Sequence, residues 1–524
     1  MGSFCSLGTE VEKQKPKRLA SCNCIEDILF SSGLFIQENQ SMFSSIYNLI
    51  SFPIGYGSYG EVWICDHIRS KEKRAVKIID KLWLSSELID KKSVLNEVDI
   101  LKTLDHPNIL KIFEYFEDER YYYIVMEYCP EGDLFDELEK VNKYDEDSAA
   151  KIMSQIFSAV SYIHNKNIVH RDIKLENILI SSRDKNLHIK LIDFNIATFN
   201  IGKRLSKFTG TSFYIAPEVI KENYDEKCDV WSCGVIMFLL LTGKFPFDGS
   251  SREEILSKIS QVNLNLKSVI MENISPAAKN LLELILMKNP KSRYTAKQAL
   301  EHPWIRVNGC QRTDDKVLKK TLTRMLSITK KPKLKEVFQI FILGQVQENN
   351  QELKHLESVF LELDEDRNGV ISRSELTDRL CMDMNLVDAL KEVERIWKLV
   401  DNDGSGNIDY TEFLRAALQE ESYVCKENLR KAFYYFDKDR SDTIEKQELM
   451  SWLSEGAIIP MEVIENLIED ADANGDGVID FEEFQDLLIE KIEQEEFEKS
   501  AKNEHINDCE ESFSLEEDTD IKLS

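Results

Sequence analysis

The 524-residue sequence has no CxxC pair and no regular spacing among its 11 cysteines. Zinc sites, redox dithiols and secreted disulfide scaffolds rely on such spacing, so these cysteines read as reduced thiols of a cytoplasmic protein. No apolar run reaches the roughly 18 residues that a membrane-spanning helix needs. The N-terminus lacks the apolar core of a secretory signal. Excess positive charge is missing too: 66 Lys and Arg face 94 Asp and Glu, a formal net charge of −28. A nucleic-acid binder needs basic surface to meet phosphates, so that class of partner is excluded. The acids gather in the C-terminal third, where they suggest ligands for a hard cation. With 42% hydrophobic residues, a chain of this length can bury two or three cores.

Composition divides the chain. Residues 1–48 read as a flexible leader. Residues 49–305 mix strand-like apolar runs with helical periodicity, and 306–345 are basic and amphipathic. Residues 346–492 carry a repeat at a 35–37-residue period, and 493–524 form an acidic tail expected to be disordered. The leader opens Met1-Gly2-Ser3-Phe4-Cys5-Ser6, which fits acylation: Gly2 for a myristoyl chain, Cys5 for a second chain. Lys13, Lys15, Lys17 and Arg18 follow as a basic patch. One myristoyl chain binds a membrane only marginally, so the second signal matters. The expectation is a peripheral position on a membrane surface and a monomeric chain.

Residues 49–305 hold an ordered series of motifs. Ile54-Gly55-Tyr56-Gly57-Ser58-Tyr59-Gly60-Glu61-Val62 lies between two apolar runs and reads as strand–turn–strand. Its glycines let a turn close on phosphates and offer N–H donors; a dinucleotide-binding loop would instead open a helix. Lys77 ends Arg74-Ala75-Val76-Lys77, and Glu97 follows 20 residues later on a helical stretch that leads into Leu104-Asp105-His106-Pro107-Asn108-Ile109. Met126 precedes Glu127-Tyr128-Cys129, with Glu131 and Asp133 just beyond. Then come His170-Arg171-Asp172-Ile173-Lys174-Leu175-Glu176-Asn177, Asp193-Phe194-Asn195, Ala216-Pro217-Glu218 and Asp229-Val230-Trp231, with Arg293 placed to pair with Glu218. Any one of these acids alone would read as a solvated surface carboxylate; their order and spacing overturn that reading.

Residues 49–305 therefore resemble a protein kinase domain. The resemblance implies that Lys77, paired with Glu97, holds the α- and β-phosphates of ATP. It implies that Asp172 orients the attacking hydroxyl, that Lys174 neutralises the γ-phosphate, and that Asn177 and Asp193 ligate Mg²⁺. Ile54, Gly55, Gly57, Gly60, Val62, Glu127, Cys129 and Asp133 would line the nucleotide site. Lys174, two residues after the aspartate, points to Ser/Thr acceptors in protein substrates. Two departures stand out. Asn195 replaces the usual glycine, and should tolerate left-handed backbone next best. From Phe194 to Pro217 there is no Asp or Glu, but there are Lys203, Arg204 and Lys207. A phosphate on Ser206 or Thr209 could then serve as partner for Arg171. Met126 should close the pocket behind the adenine.

Four windows fit a 12-residue calcium loop, with oxygens at positions 1, 3, 5, 7 and 9, Gly at 6 and Glu at 12. The first offers Asp364, Asp366, Asn368, Val370, Ser372 and Glu375. The second offers Asp401, Asp403, Ser405, Asn407, Asp409 and Glu412. The third offers Asp437, Asp439, Ser441, Thr443, Glu445 and Glu448, and the fourth Asp472, Asn474, Asp476, Val478, Asp480 and Glu483. Position 8 is isoleucine in each (Ile371, Ile408, Ile444, Ile479), suited to a bridge between paired loops. The third loop has Asp442 in place of Gly and should be strained and weakest.

A kinase domain followed by four EF-hands resembles the calcium-dependent protein kinases of plants and of apicomplexan and ciliate protists, over about residues 50–492. The resemblance implies an α+β fold, a bilobal protein kinase domain followed by an all-α calmodulin-like domain, with ATP, Mg²⁺ and Ca²⁺ as cofactors. It also implies autoinhibition released by calcium. Lys316–Thr329 places Leu318, Leu322, Met325 and Leu326 on one helical face and Lys319, Lys320 and Arg324 on the others, which reads as a calmodulin-target-like element. Opened EF-hand pairs would engage it and its neighbours Val337, Phe338 and Phe341, while Pro332 should break a single long helix. A helix packed only on the kinase is the plainer alternative. The competing functions are a catalytically impaired calcium-sensing scaffold at a membrane and a kinase that needs separate calmodulin.

Overall fold

The computed structural model describes residues 32–489, apart from 58–59, 87–90, 184–186, 201, 203, 262–263, 265–270, 310–314, 346–350, 454–460 and 470. Gly2, Cys5, Lys203 and the acidic tail lie outside the described residues. Two compact units result: Leu29–Lys330 with Leu343–Tyr423, and Lys331–Ile342 with the chain from Val424.

The first unit opens with a sheet. Its strands are β1 (Glu38–Asn39), β2 (Tyr47–Gly57), β3 (Gly60–His67), β4 (Lys73–Asp80), β5 (Ile112–Glu117) and β6 (Tyr121–Met126), in the order β1-β5-β6-β4-β3-β2. β2 to β6 pair antiparallel, and β1 adds a parallel edge to β5. β4 and β6 are rich in β-branched and aromatic residues, which suit a half-buried pleat; Ala75, Val76, Ile79, Ile124 and Val125 are buried. The helix Lys91–Leu101 carries Glu97. Residues 32–46, inside the stretch read as a leader, form a short turn, β1 and the helix Phe43–Ile46.

The larger lobe is helical. Glu146–Asn165 starts where the Asp145 side chain accepts the Ser148 N–H. Lys227–Thr242 is predominantly apolar, as a core helix must be: every residue from Cys228 to Leu241 is buried, Asp229 and Ser232 included, and Gly243 ends it at φ 70°.

Beyond the kinase lobes the connection is two helices, Asp315–Ser327 and Lys333–Gln345. Pro332 sits immediately before the second, where it donates no N–H and biases its predecessor away from helix. The first EF-hand pair (helices Gln351–Leu363, Arg373–Leu380, Leu386–Val400 and Tyr410–Ala417) belongs to the first unit, and Ile371 bridges Ile408 there. Asp315–Ser327 packs against three of these four helices, with Leu318, Leu322 and Met325 buried. Arg324 pairs with Glu352 at 2.8 Å, and the Arg395 guanidinium donates to the carbonyls of Ile328 (2.7 Å) and Leu326 (2.5 Å).

In the second unit the later pair joins through an antiparallel bridge, Ile444 opposite Ile479. Phe338 sits 4.8 Å from Phe436 and 4.6 Å from Phe484, and Phe341 packs on Phe436 and Trp452. Val337, Phe338 and Phe341 are thus core residues of this unit.

Candidate active site and calcium loops

Lys77 projects from β4 and the helix Lys91–Leu101 brings Glu97 to it, Nζ to Oε2 2.7 Å, with both side chains buried. Asp193 follows at 4.0 Å from Lys77 Nζ. The catalytic-loop backbone is fixed from below: buried Asp229 accepts the N–H groups of His170 (2.9 Å) and Arg171 (2.8 Å) and bonds His164 Nε2 at 2.9 Å. Burial opposes the charge on Asp229, yet these partners hold its carboxyl below the ordinary range. Asp172 then faces the cleft. Its Oδ2 meets Lys174 Nζ at 2.9 Å, and its Oδ1 accepts from Thr211 Oγ1 at 2.9 Å. Asn177 donates to the Asp172 carbonyl at 2.8 Å. Arg293 clamps Glu218 through Nη1 and Nη2, at 2.5 and 3.0 Å.

The structure therefore brings Lys77, Glu97 and Asp193 into one cluster and Asp172, Lys174 and Asn177 into another. Nucleotide-site residues are placed as follows. Gly55 pairs with Val62 and Gly57 with Gly60 across the β2–β3 turn, while Ile54 is exposed. Gly60 has a further reason to be glycine: a Cβ there would lie 2.1 Å from the Ile78 carbonyl oxygen of β4. Cys129 is buried, and the Glu127 side chain turns inward to Lys190 at 3.3 Å. Asp133 caps the helix Leu134–Val141 by accepting from Asp136 N, and burial raises its pKa. Glu131 is paired with Arg183 at 2.6 Å.

The reason given above for Asn195 needs correcting. Left-handed backbone belongs to Asp193 (φ 66°) and Arg171 (φ 71°), and Asn195 is not among the positive-φ residues. Its amide instead bridges two groups of the site: Oδ1 accepts from Lys77 Nζ at 3.1 Å and Nδ2 donates to Asp193 Oδ1. The Arg171 guanidinium donates to the Ile196 carbonyl from Nε (2.6 Å) and Nη2. Ser206 is exposed and Thr209 half-buried.

The calcium loops share one construction. Position 12 turns back and accepts N–H groups from inside the loop: Glu375 from Asp366 and Ser372, Glu412 from Asn402 and Asp409, Glu448 from Lys438 and Glu445, Glu483 from Ala473 and Asp480. In loops one, two and four, positions 9 and 12 also form the capping box of the exit helix, so one glutamate serves both cap and ligand set. Carboxylate oxygens of Asp364, Asp366 and Glu375 lie within 4.8 Å of one another, as do those of Asp401, Asp403 and Glu412 and those of Asp437, Asp439 and Glu448. In the third loop Asp442 takes φ 61° where Gly369, Gly406 and Gly477 take 83–86°. Crowded hard oxygens fit Ca²⁺. Burial, then the Glu375 charge, pushes the Asp364 pKa up to about 8, and burial with Asp403 does the same for Glu412. A dication would relieve that cost.

Sequence reasoning missed the face on which the first EF-hand pair meets the kinase lobes. Buried Glu357 approaches His188 Nδ1 (3.4 Å) and Asn108 (3.4 Å), Asp105 accepts from Thr411 N (2.8 Å), and Lys297 pairs with the loop ligand Asp366 at 3.0 Å. Burial opposes ionised Glu357, but His188, Lys190 and Asn108 hold its pKa down. The sequence singles out Leu104–Ile109 and Asp366, but neither for this role.

The protein kinase domain family matches residues 50–305, and the EF-hand domain pair family matches residues 353–418 and 426–489. Calcium-dependent protein kinase 4 of Plasmodium berghei (strain Anka) is 36% identical over 474 residues, which is 87% of this chain and 89% of the relative. Calcium-dependent protein kinase 5 of Plasmodium falciparum (isolate 3D7) is 36% identical over 472 residues, 88% and 81% of the two chains. Calcium-dependent protein kinase 19 of Arabidopsis thaliana is 36% identical over 442 residues, 83% and 79%. With both clusters assembled in the cleft and EF-hands in the same chain, the protein belongs to the calcium-dependent protein kinases, ATP- and Mg²⁺-using Ser/Thr kinases activated by Ca²⁺.

Proposed function

We propose that the helix Asp315–Ser327 is the element through which calcium controls transfer, and that the residues above carry the roles their positions suit. When bound, ATP would supply the γ-phosphoryl group and Mg²⁺ would neutralise its charge. Asp172 accepts the proton of a substrate Ser or Thr hydroxyl, Lys174 neutralises charge beside it, Lys77 is held toward the phosphates by Glu97, and Asn177 and Asp193 offer metal ligands. The observation that carries the regulatory reading is the burial of Leu318, Leu322 and Met325 among helices of the first EF-hand pair. A helix with a basic face and an apolar stripe suits either a calcium-opened groove or the kinase itself. Calcium-free EF-hands would release it to restrain the kinase. The test is the double variant Leu318→Asp, Leu322→Asp. Transfer to a peptide in chelator should rise at least fivefold over the parent; unchanged silence in chelator rejects autoinhibition by this helix.

The acylation pattern at Gly2 and Cys5 supports a peripheral membrane position. Gly2→Ala should move the protein from the membrane to the soluble fraction of cells, and an unchanged distribution rejects it. The intact Lys77–Glu97 pair and the Asp172 cluster favour an active kinase over a catalytically impaired scaffold.

A further inference from the structure

The matched kinase family begins at residue 50, yet the chain before it is built into the small lobe. Residue Gly33 passes directly over the end of the Glu97 helix: a Cβ on it would lie 2.1 Å from the Lys102 carbonyl oxygen, and Lys102 N closes the last turn onto Val98 O. Phe35 and Gln37 are buried, and Ile36 packs against the main core. The Gln37 carbonyl accepts from Tyr115 N at 3.2 Å, and β1 then pairs Glu38 with Tyr115 and Asn39 with Phe116. The next anchor is buried Glu114 on β5. One of its carboxylate oxygens accepts from Asn39 Nδ2 at 2.8 Å, the other from Tyr47 Oη at 2.6 Å. Between them Phe43 stacks on Tyr123 with centroids 4.6 Å apart and meets Phe116 edge-on at 5.6 Å. The segment thus connects the end of one helix, the strand β5 and the root of β2.

A buried carboxylate with hydrogen bonds to both oxygens is costly to disturb. The helix end it helps to fix lies one turn beyond Glu97, whose distance to Lys77 decides whether the phosphates meet a held ammonium or a free one. We propose that residues 32–47 are a clasp that holds the helix Lys91–Leu101 where Glu97 reaches Lys77. Gly33, Asn39 and Tyr47 are then positioning residues for phosphoryl transfer, although none of them touches a reacting group. The inference rests on the kinase reading and goes beyond it, because it places part of the working small lobe outside the matched domain.

Two measurements on the full chain at saturating calcium test it. The variants are Gly33→Ala, which pushes on Lys102, and Asn39→Ala with Tyr47→Phe, which only removes hydrogen bonds and guards against misfolding of the first. Hydrogen exchange of the amides in residues 95–102 needs no activity and should quicken at least tenfold in both; exchange as slow as in the parent overturns the clasp. Peptide transfer is then measured with and without Glu97→Gln. Each clasp variant should lower kcat about tenfold in the parent and less than twofold in the Glu97→Gln background. An equal loss in both backgrounds shows a merely structural role and overturns the proposal. Quickened exchange in the variants, with no transfer by the parent, would instead refute the kinase reading.

Discussion

Asn195 shows what a single side chain can decide in this cleft. Its amide spans Lys77 and Asp193, two charged groups that otherwise stand 4.0 Å apart. A hydrogen bond to a charged group is worth roughly 1.5–3 kcal/mol when its loss leaves the charge less well held. Asn195→Ala should therefore lower kcat/KM for ATP by about tenfold, while Lys77 keeps Glu97. Steady-state kinetics at varied ATP check this, and an unchanged or higher kcat/KM would count against the bridge. His106 offers a second residue-scale test. Its Nδ1 accepts from Asn108 N at 3.0 Å and its Nε2 lies 3.1 Å from Ser158 Oγ, so it is held neutral. Burial, only partly offset by Asp105, lowers its pKa from 6.5 to about 3. Below pH 6.5 the unfolded chain binds a proton that the folded one refuses, so stability rises with pH across that window and is lost as pH falls. At about 1.4 kcal/mol per unit, the loss is about 2 kcal/mol by pH 5. Denaturant midpoints of the parent and His106→Asn at pH 7 and 5 should differ by that margin, with the variant less acid-labile; equal losses would refute it. The placement of Asp172 and Lys77 in the cleft was legible because each sits in a local motif. The contacts of Asn195 and His106 were not, because one partner of each lies 118 and 52 residues away.

Among elements, the calcium loops were the most legible. Their ligands, turn and cap all fall within 12 residues, and the apolar position 8 announced both bridges. The third loop keeps the common geometry with Asp442 at φ 61°. Left-handed backbone costs a residue with a Cβ about 1 kcal/mol more than glycine, so Asp442→Gly should tighten calcium binding at this loop about fivefold. Calorimetric titration of the full chain reads that step, and weaker or equal binding would show that the strain is relieved elsewhere. The break at Pro332 was legible too, since a proline's missing N–H acts locally. The segment around Gly33 and Asn39 was not: it has no helical or strand period, and its order comes from Glu114 and Tyr123, residues met much later in the chain.

For the molecule as a whole, the sequence announced a kinase and a calcium sensor but not the face between the lobes and the first EF-hand pair. That face rests on single side chains such as Asp105, Asn108 and Glu357, which carry no pattern. It includes a candidate calcium ligand, because Lys297 pairs with Asp366. A dication in loop one must share that carboxylate with an ammonium, so Lys297→Met should lower the calcium concentration for half-maximal binding in the first pair, by about threefold. A higher requirement would mean that the pair supports the loaded loop. The account stands or falls on calcium control of phosphate transfer within one chain. The direct measurement is transfer from ATP to a basic Ser/Thr peptide by the purified full-length protein, in calcium and in chelator, beside Asp172→Ala. The prediction is transfer in calcium, at least tenfold less in chelator, and none above background from Asp172→Ala. Transfer that is absent in calcium, or equal with and without it, would contradict the account.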